Sequence, residues 1–515
     1  MNGQNKKNIA TYWSFCYMGK IERVTLVYRK IGDNLSFFKN AFSDCSDVLY
    51  RNIQMDGKRA CLIFIDGLVN TTDIQQHVIL DLIKQEENVS TIHDIEEKTL
   101  SISQTVEENT LDKAVTAVLE GNTVLVIDGK EKLLIFDAKE FQTRGITEPE
   151  SETAIRGPRE GFVESLRVNT SLIRRKIRTT DLKMVSKIIG DKTQTGVAVM
   201  YLDGIADEKI VQEINNRLDR IKIDGILESG YIEELIEDDP WSVFPQVQIT
   251  ERPDTVAANL LEGRIGIVVD GTPFVILLPA TFWQQFQASE DYYDRFHVAI
   301  FLRSIRLIFL GIALLLPALY IAVTTYHQEM IPTNLLLSIA ASREAIPFPA
   351  VVEAFIMEIS FEALREAGVR LPKTIGQAVS ILGALVIGSA AVEAGIVSAP
   401  MVIIVSLTGI ASFTIPKFSL AISVRLVRFP LMVLASVFGL FGIVIGTMVI
   451  TAHLCQLRSF GTPYFAPLAP LKLSELRDVF MRLPLWMYNR RPSEFVKSNV
   501  KRQKNNLYPS PDQNK

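Results

Sequence analysis

Cysteine is scarce. The four in this 515-residue chain, Cys16, Cys45, Cys61 and Cys455, form no C-x-x-C pair and no zinc-ligand spacing, which argues against a disulfide framework and for a reducing compartment around the soluble part. Standing alone, each reads as a small packing residue. Histidine is nearly as rare, and His77, His93, His297, His327 and His453 are too dispersed to share a site. There is no Walker loop, no G-x-S-x-G elbow and no H-E-x-x-H helix, so the usual phosphate, acyl-transfer and zinc chemistries lack their residues. The expectation is a protein with no catalytic residue, no metal and no cofactor. A signal peptide's sustained apolar core is missing too, since Lys6 and Lys7 precede only the short run Ile9-Ala-Thr-Tyr-Trp13.

Charge is missing where it matters most. From Ile375 to Pro416 the one formal charge is Glu393, and Gly376, Gly383, Gly388, Ala390, Ala391 and Gly395 punctuate that stretch. Small residues let helices approach closely in lipid, where packing must replace the hydrophobic drive for association. A lone carboxylate at bilayer depth costs a few kcal/mol and belongs against protein or a wet cavity. Acids are also short in the tail, where Gln456 to Lys515 holds eleven Lys or Arg against four Asp or Glu. Such a tail rests on anionic membrane lipid more readily than on nucleic acid, for which no aromatic and basic platform is present.

What is present begins with a repeat. Ala60-Cys-Leu-Ile-Phe-Ile-Asp-Gly67 and Leu119-Glu-Gly-Asn-Thr-Val-Leu-Val-Ile-Asp-Gly129 are followed by Leu133 to Phe136. In the same order come Gly196-Val-Ala-Val-Met-Tyr-Leu-Asp-Gly204, Leu261-Glu-Gly-Arg-Ile-Gly-Ile-Val-Val-Asp-Gly271 and Phe274 to Leu278. Each apolar run with its Asp-Gly turn reads as a strand or hairpin, and segments such as Asp207 to Ile221 read as amphipathic helices. The fold class expected is an α/β region of two related subdomains, 36–145 and 146–290, followed by an all-α transmembrane domain, 291–455. A 1–35 extension and a basic 456–515 tail flank them.

Between the subdomains, Arg156-Gly-Pro-Arg-Glu-Gly-Phe162 should be a loop opening into a helix. Arg156, Gly157 and Arg159 could cradle a phosphate there, or the loop could simply join domains with solvated arginines. Spans are expected near 304–325, 375–397, 400–416 and 429–453, with 347–371 amphipathic or re-entrant. Arg295, Arg303 and Arg306 before the first span place the large N-terminal region in the cytoplasm. Lys417, Arg425 and Arg428 ask for the loop before the last span to lie on that side, and the basic tail after it asks the same. Both demands cannot hold if 429–453 crosses once.

Several blocks now carry a resemblance: Ser43-Asp-Cys-Ser-Asp47, Arg156 to Phe162, Thr250-Glu-Arg-Pro253, Pro347-Phe-Pro349, Arg365-Glu-Ala-Gly368, Ala390-Ala-Val-Glu-Ala394, Ala411-Ser-Phe-Thr-Ile-Pro416 and Phe460-Gly-Thr-Pro463. In order, from about Ser36 to Phe465, the chain resembles the A subunit of GerA-type nutrient germination receptors. The resemblance implies a multi-pass protein of the inner spore membrane that works with a transporter-like B subunit and a lipoprotein C subunit. It also implies a homo-oligomer, a pentamer, through which monovalent cations leave when nutrient is sensed.

Helical spacing offers a matching stripe. Leu382, Leu385 or Val386, Ser389 and Glu393 fall on one face, so a ring of copies would stack an apolar constriction, a polar step and a carboxylate ring. Glu353, Glu358 and Glu362 would form a vestibule whose field concentrates cations. Three alternatives stay open: a helix seam with Glu393 paired to an arginine, a secondary transporter using Glu393 as its proton or sodium site, and a scaffold without a pore of its own.

Overall fold

The computed structural model describes residues 25–55, 57–83, 105–139, 148–149, 152, 154–372, 388–497, 499–503 and 507–509. In the first unit, β1 (Val48–Met55) and β2 (Lys58–Ile65) pair as a hairpin, and β3 (Thr105–Glu108), β4 (Thr123–Ile127) and β5 (Leu133–Phe136) complete an antiparallel sheet in the order β1-β2-β4-β5-β3. The period of two sends Cys61, Ile63, Ile65, Val124 and Val126 to one face, against α1 (Ile31–Ala41) and α3 (Leu111–Leu119). Leu62, Phe64, Leu125 and Ile127 face the other way, against the helical stretch α2 (71–83). Central strands buried on both faces explain why these runs read as continuously apolar.

The second unit repeats the plan. Strands β6 (Leu182–Ile189), β7 (Thr195–Leu202), β8 (Gln248–Thr250), β9 (Ile265–Val269) and β10 (Val275–Leu278) are ordered β6-β7-β9-β10-β8, also antiparallel throughout. One face packs α4 (Leu166–Lys176) and α7 (Pro253–Leu261), the other α5 (Glu208–Arg220) and α6 (Ser229–Ile236). The repeated Leu-Glu-Gly is a helix C-terminus: α3 and α7 end at Leu119 and Leu261, and Gly121 and Gly263 take φ of +89° and +94°. The repeated Asp-Gly turns do more than reverse the chain. Asp128 Oδ1 accepts from the Ile31 amide at the start of α1, and Asp270 Oδ1 accepts from the Leu166 amide at the start of α4, both at 3.0 Å.

Ser43 to Asp47 joins the units. The segment bonds along the edge of β6, with Ser46 N to Met184 O at 3.0 Å and Met184 N to Asp44 O at 2.9 Å. Asp47 meets the fully buried Arg174 of α4 in a bidentate pair, both bonds 2.9 Å.

The C-terminal half is helical: α8 (Phe296–Thr325), α9 (Thr333–Arg343), α10 (Ala350–Arg370), residues 388–393, α11 (Ala399–Phe413), α12 (Phe418–Phe438) and α13 (Leu440–Gln456). Helices α8 and α12 are long and apolar enough to cross a membrane; α11 and α13 are apolar but shorter. The 429–453 stretch, expected as one span, is divided at Gly439, whose φ of +60° and ψ of −141° turn the chain back. A β-carbon at Gly439 would lie 2.9 Å from His327 Nε2, so the end of α8 leaves room there only for glycine. Both ends of the resulting hairpin return to the α/β region: Ser423 donates to Val243 O at 2.5 Å, and His453 Nε2 bonds Ser242 Oγ at 2.9 Å.

The tail does not hang free through its described residues. Ser459 Oγ accepts from the Ala280 amide at 3.0 Å, Phe495 and Val496 are buried against the second unit, and Arg502 pairs with Glu262 at 3.3 Å.

Candidate functional site: charges buried among apolar helices

Helix α10 begins after Pro347-Phe-Pro349, with proline rigidity setting its start. Its acids turn inward. Glu353 is fully buried; one oxygen accepts from Arg343 Nε at 3.1 Å and the other from the Ser398 amide opening α11 at 2.9 Å. Five and nine residues on, Glu358 and Glu362 face α12, where Arg428 Nη2 lies 3.2 Å from Glu358 and 3.4 Å from Glu362, and Arg425 Nη1 is 2.7 Å from Glu362. Arg365 completes the group, 3.6 Å from Glu362 and 2.9 Å from Ser412 Oγ, with its guanidinium over the Phe413 ring. The three glutamates expected at a vestibule are therefore matched by arginines of the same chain. Charge buried at this depth is expensive unless paired, and function commonly retains it.

The stripe residues are placed differently. Ser389 and Glu393 lie on the exposed side of the helical residues 388–393, which end where Gly395 takes φ +66°. Leu382, Leu385 and Val386 lie outside the described residues. Glu393 is exposed and has no ion-pair partner among the described residues, whereas Glu353, Glu358 and Glu362 all do.

The Arg156 to Phe162 loop is held from behind. Arg252, one of the most buried arginines, donates to Glu152 O at 3.2 Å and Pro158 O at 3.0 Å and pairs with Asp254 at 2.9 Å. Tyr293 donates its hydroxyl to the same Asp254, and its ring lies 2.8 Å from where a Gly157 β-carbon would sit. Burial, and then the Asp254 carboxylate, hold the Tyr293 phenol well above its ordinary range. Burial opposes the Arg252 charge, but Asp254 more than offsets it and the guanidinium pKa is raised. Arg156 and Arg159 are exposed, 3.6 Å from Asp294 and 3.9 Å from Glu148. Lys417, before α12, donates to Glu152, so this loop joins the second unit to the helical part. Sequence reasoning missed Glu152, Arg252, Asp254, Tyr293 and Lys417 as one cluster, although Thr250-Glu-Arg-Pro253 stood out as a block.

A second knot anchors the first long helix. Asp291 is 1% exposed and takes Arg303 Nε at 3.0 Å and Arg306 Nη2 at 2.7 Å, while Arg303 Nη1 also reaches Asp478 of the tail at 2.9 Å. The arginines expected as a topogenic signal also form structural ties.

Two repeated α/β units tied to a helical bundle, two of whose helices are long and apolar enough to cross a membrane, define a two-part architecture. The family model for the Bacillus/Clostridium GerA spore germination protein matches residues 36–494. The chain is 55% identical to the uncharacterized membrane protein YfkQ of Bacillus subtilis (strain 168) over 91% of each chain. It is 47% identical to spore germination protein KA of the same organism, over 95% of this chain and 91% of that one. Among solved structures, the N-terminal domain of the A subunit of the Bacillus megaterium spore germinant receptor GerK3 is 34% identical, covering 50% of this chain and 98% of that one with a TM-score of 0.41. The chain belongs to the GerA spore germination protein family.

Proposed function

We propose that this chain is an A-type subunit of a nutrient receptor that triggers spore germination. Several copies, five on the family resemblance, form a nutrient-gated path for monovalent cations together with a transporter-like B subunit and a lipoprotein C subunit. The helical part lies in the inner spore membrane and the α/β region in the cytoplasm. The position of Arg295, Arg303, Arg306 and Lys417 toward the α/β end of the helices supports that orientation.

The observation that carries the channel reading is the exposed Glu393, one helical turn beyond the exposed Ser389, on an apolar bundle whose deeper acids are paired. Lipid disfavours such a carboxylate by about 3 kcal/mol, so it calls for a sister subunit or a water path. Leu382, Leu385 and Val386 form the constriction on the same proposed stripe. Glu353, Glu358 and Glu362 enter as a lock on the closed form, because charges matched inside the chain project little field outward.

The test is potassium flux from liposomes carrying the receptor with its partners. Glu393→Gln is expected to cut cation conductance several-fold while leaving assembly intact. A strictly monomeric extracted particle, or flux indifferent to Glu393, would sink the reading. The runner-up is a secondary transporter, favoured by the buried Glu358, neither of whose oxygens has a well-formed hydrogen bond among the described residues. Saturable, stoichiometric exchange in the same liposomes selects it; ohmic flux selects the channel.

A further inference from the structure

Helix α8 is longer than a bilayer needs. Its 30 residues rise about 45 Å, against about 30 Å of hydrocarbon, so about ten of them stand outside the apolar layer. The apolar run from Leu307 to Val323 belongs in hydrocarbon. That leaves 296–306, with Arg303 and Arg306 turned onto Asp291, at headgroup level on the α/β side. A strip of the tail, 478–487, runs antiparallel to these turns. Asp478 meets Arg303 at 2.9 Å, Val479 and Phe480 line one small gap with Leu307, and the Trp486 ring lies 6.1 Å from the Phe296 ring.

What the strip shows to the outside is apolar. Between Met481 and Met487 the one charge is Arg482, which is buried and donates to Tyr292 O at 3.2 Å. Met481, Leu485 and Met487 are exposed, and so is Phe301 on the adjoining turns of α8. Basic charge lies alongside. Met487 also lines a cleft of about 550 Å³ within the tail, where five Lys or Arg meet three acids. Of these acids Glu262 is paired with Arg502 and Asp478 with Arg303, while Glu475 accepts from the Ser493 amide at 3.0 Å. Arg477 and Arg490 are exposed on the same cleft and have no ion-pair partner among the described residues. Bare hydrophobes beside unmatched guanidiniums gain nothing from water. The bilayer interface offers a phosphate and an acyl boundary at this depth.

We infer that the tail strip and its cleft bind an anionic phospholipid of the leaflet facing the α/β region. The lipid phosphate accepts from Arg477 and Arg490, and the first carbons of its acyl chains lie against Met481, Leu485 and Met487, with Trp486 at the boundary. The tail thereby fastens the base of α8 to the membrane surface. This inference rests on the helical part lying in a membrane, as proposed above.

The test is fluorescence quenching of the full-length protein in nanodiscs, by phosphatidylglycerol or phosphatidylcholine brominated near the top of the acyl chain. The Trp486 signal is the wild-type emission less that of Trp486→Phe. Both lipids are expected to quench it. Brominated phosphatidylglycerol is expected to quench more at equal mole fraction, since one arginine at an anionic surface is worth about fivefold in lipid affinity. Arg477→Gln with Arg490→Gln is expected to remove that preference and leave the quenching by phosphatidylcholine. Should Trp486→Phe fail to fold, a bimane on Leu485→Cys, in a Cys16→Ser, Cys455→Ser background, reports the same quenching. Ile308→Trp, exposed on α8 beyond the strip and read as its excess over wild type, separates this inference from the membrane reading. If residue 308 is quenched by lipid and residue 486 answers only to aqueous acrylamide, the strip faces solvent or a protein and the inference falls alone. If neither is quenched by lipid, the membrane reading falls with it. Equal quenching by the two lipids, or a preference that survives the double variant, overturns the anionic site.

Discussion

Asp47 and Arg174 show how far a single pair reaches. The guanidinium is fully buried and donates to both carboxylate oxygens and to the carbonyls of Thr179 and Leu182. Removing one partner of such a pair typically costs about 3–5 kcal/mol, mostly through the charge left behind. Glu233 on α6 is a different case, an acid with burial and no cation paired to it among the described residues. Burial first, then the charges of Glu237 and Glu228, push its pKa from about 4.5 up to about 7. The folded state therefore holds a proton that the unfolded chain releases. The associated stability is complete below about pH 4.5 and is lost as pH rises through about 7. Glutamine keeps the neutral form at every pH. Glu233→Gln is thus expected to match wild type near pH 4.5 and to exceed it by about 1–3 kcal/mol at pH 8. Thermal unfolding across a pH series reads this, and a difference independent of pH would show that Glu233 ionises normally.

At the scale of the element, α12 and α13 make a hairpin that depends on glycine at three points. Gly439 supplies the turn, a β-carbon on Gly442 would come 2.1 Å from the Leu434 carbonyl oxygen, and one on Gly446 would come 2.4 Å from Leu431 Cδ2. The two contacts differ in kind. A leucine methyl can rotate aside, but a helix carbonyl cannot, so Gly442→Ala must open the hairpin while Gly446→Ala need only repack it. We expect Gly442→Ala to cost about 1–3 kcal/mol in detergent and Gly446→Ala distinctly less, read as melting temperatures. Equal losses would mean that the helices separate freely there. This hairpin was illegible in the sequence because 429–453 is continuously apolar, and hydropathy counts Gly439 as one more tolerated small residue. The repeat was legible for the opposite reason: Leu-Glu-Gly and Asp-Gly mark backbone conformations that few other residues adopt. Even so, the match of α1 to α4 escaped, since little survives in both helices beyond Asn34 and Asn169, each bridging the backbone six residues before it. The acid face of α10 was legible as a pattern. Its partners Arg425 and Arg428 were not, because no periodicity links residues more than sixty positions apart.

For the whole molecule, the packing of the described tail residues fixes the side of the helices on which they lie. Described tail residues as far as Arg502 touch the second α/β unit, through Arg491 to Leu261 O at 2.8 Å, Arg264 over the Phe495 ring and Lys497 to Asp207 at 2.5 Å. Lys417 and His453 at the two ends of the hairpin meet the α/β region as well, while its turn at Gly439 lies beside Tyr326 and His327 at the far end of α8. The helices therefore leave the α/β side and return to it, and Lys417, Arg425, Arg428 and the basic tail can all satisfy the positive-inside preference together. The consequence is testable in membranes of one orientation. In a Cys16→Ser, Cys455→Ser background, Lys192→Cys in the second unit and Leu507→Cys in the tail should react with an impermeant maleimide from the same side. Phe438→Cys at the hairpin turn should react from the other side. Cys45 and Cys61 are buried and should stay silent. If residues 192 and 507 label from opposite faces, the tail cannot pack on the second unit in the membrane. If residue 438 labels together with residue 192, the α12 and α13 hairpin does not cross.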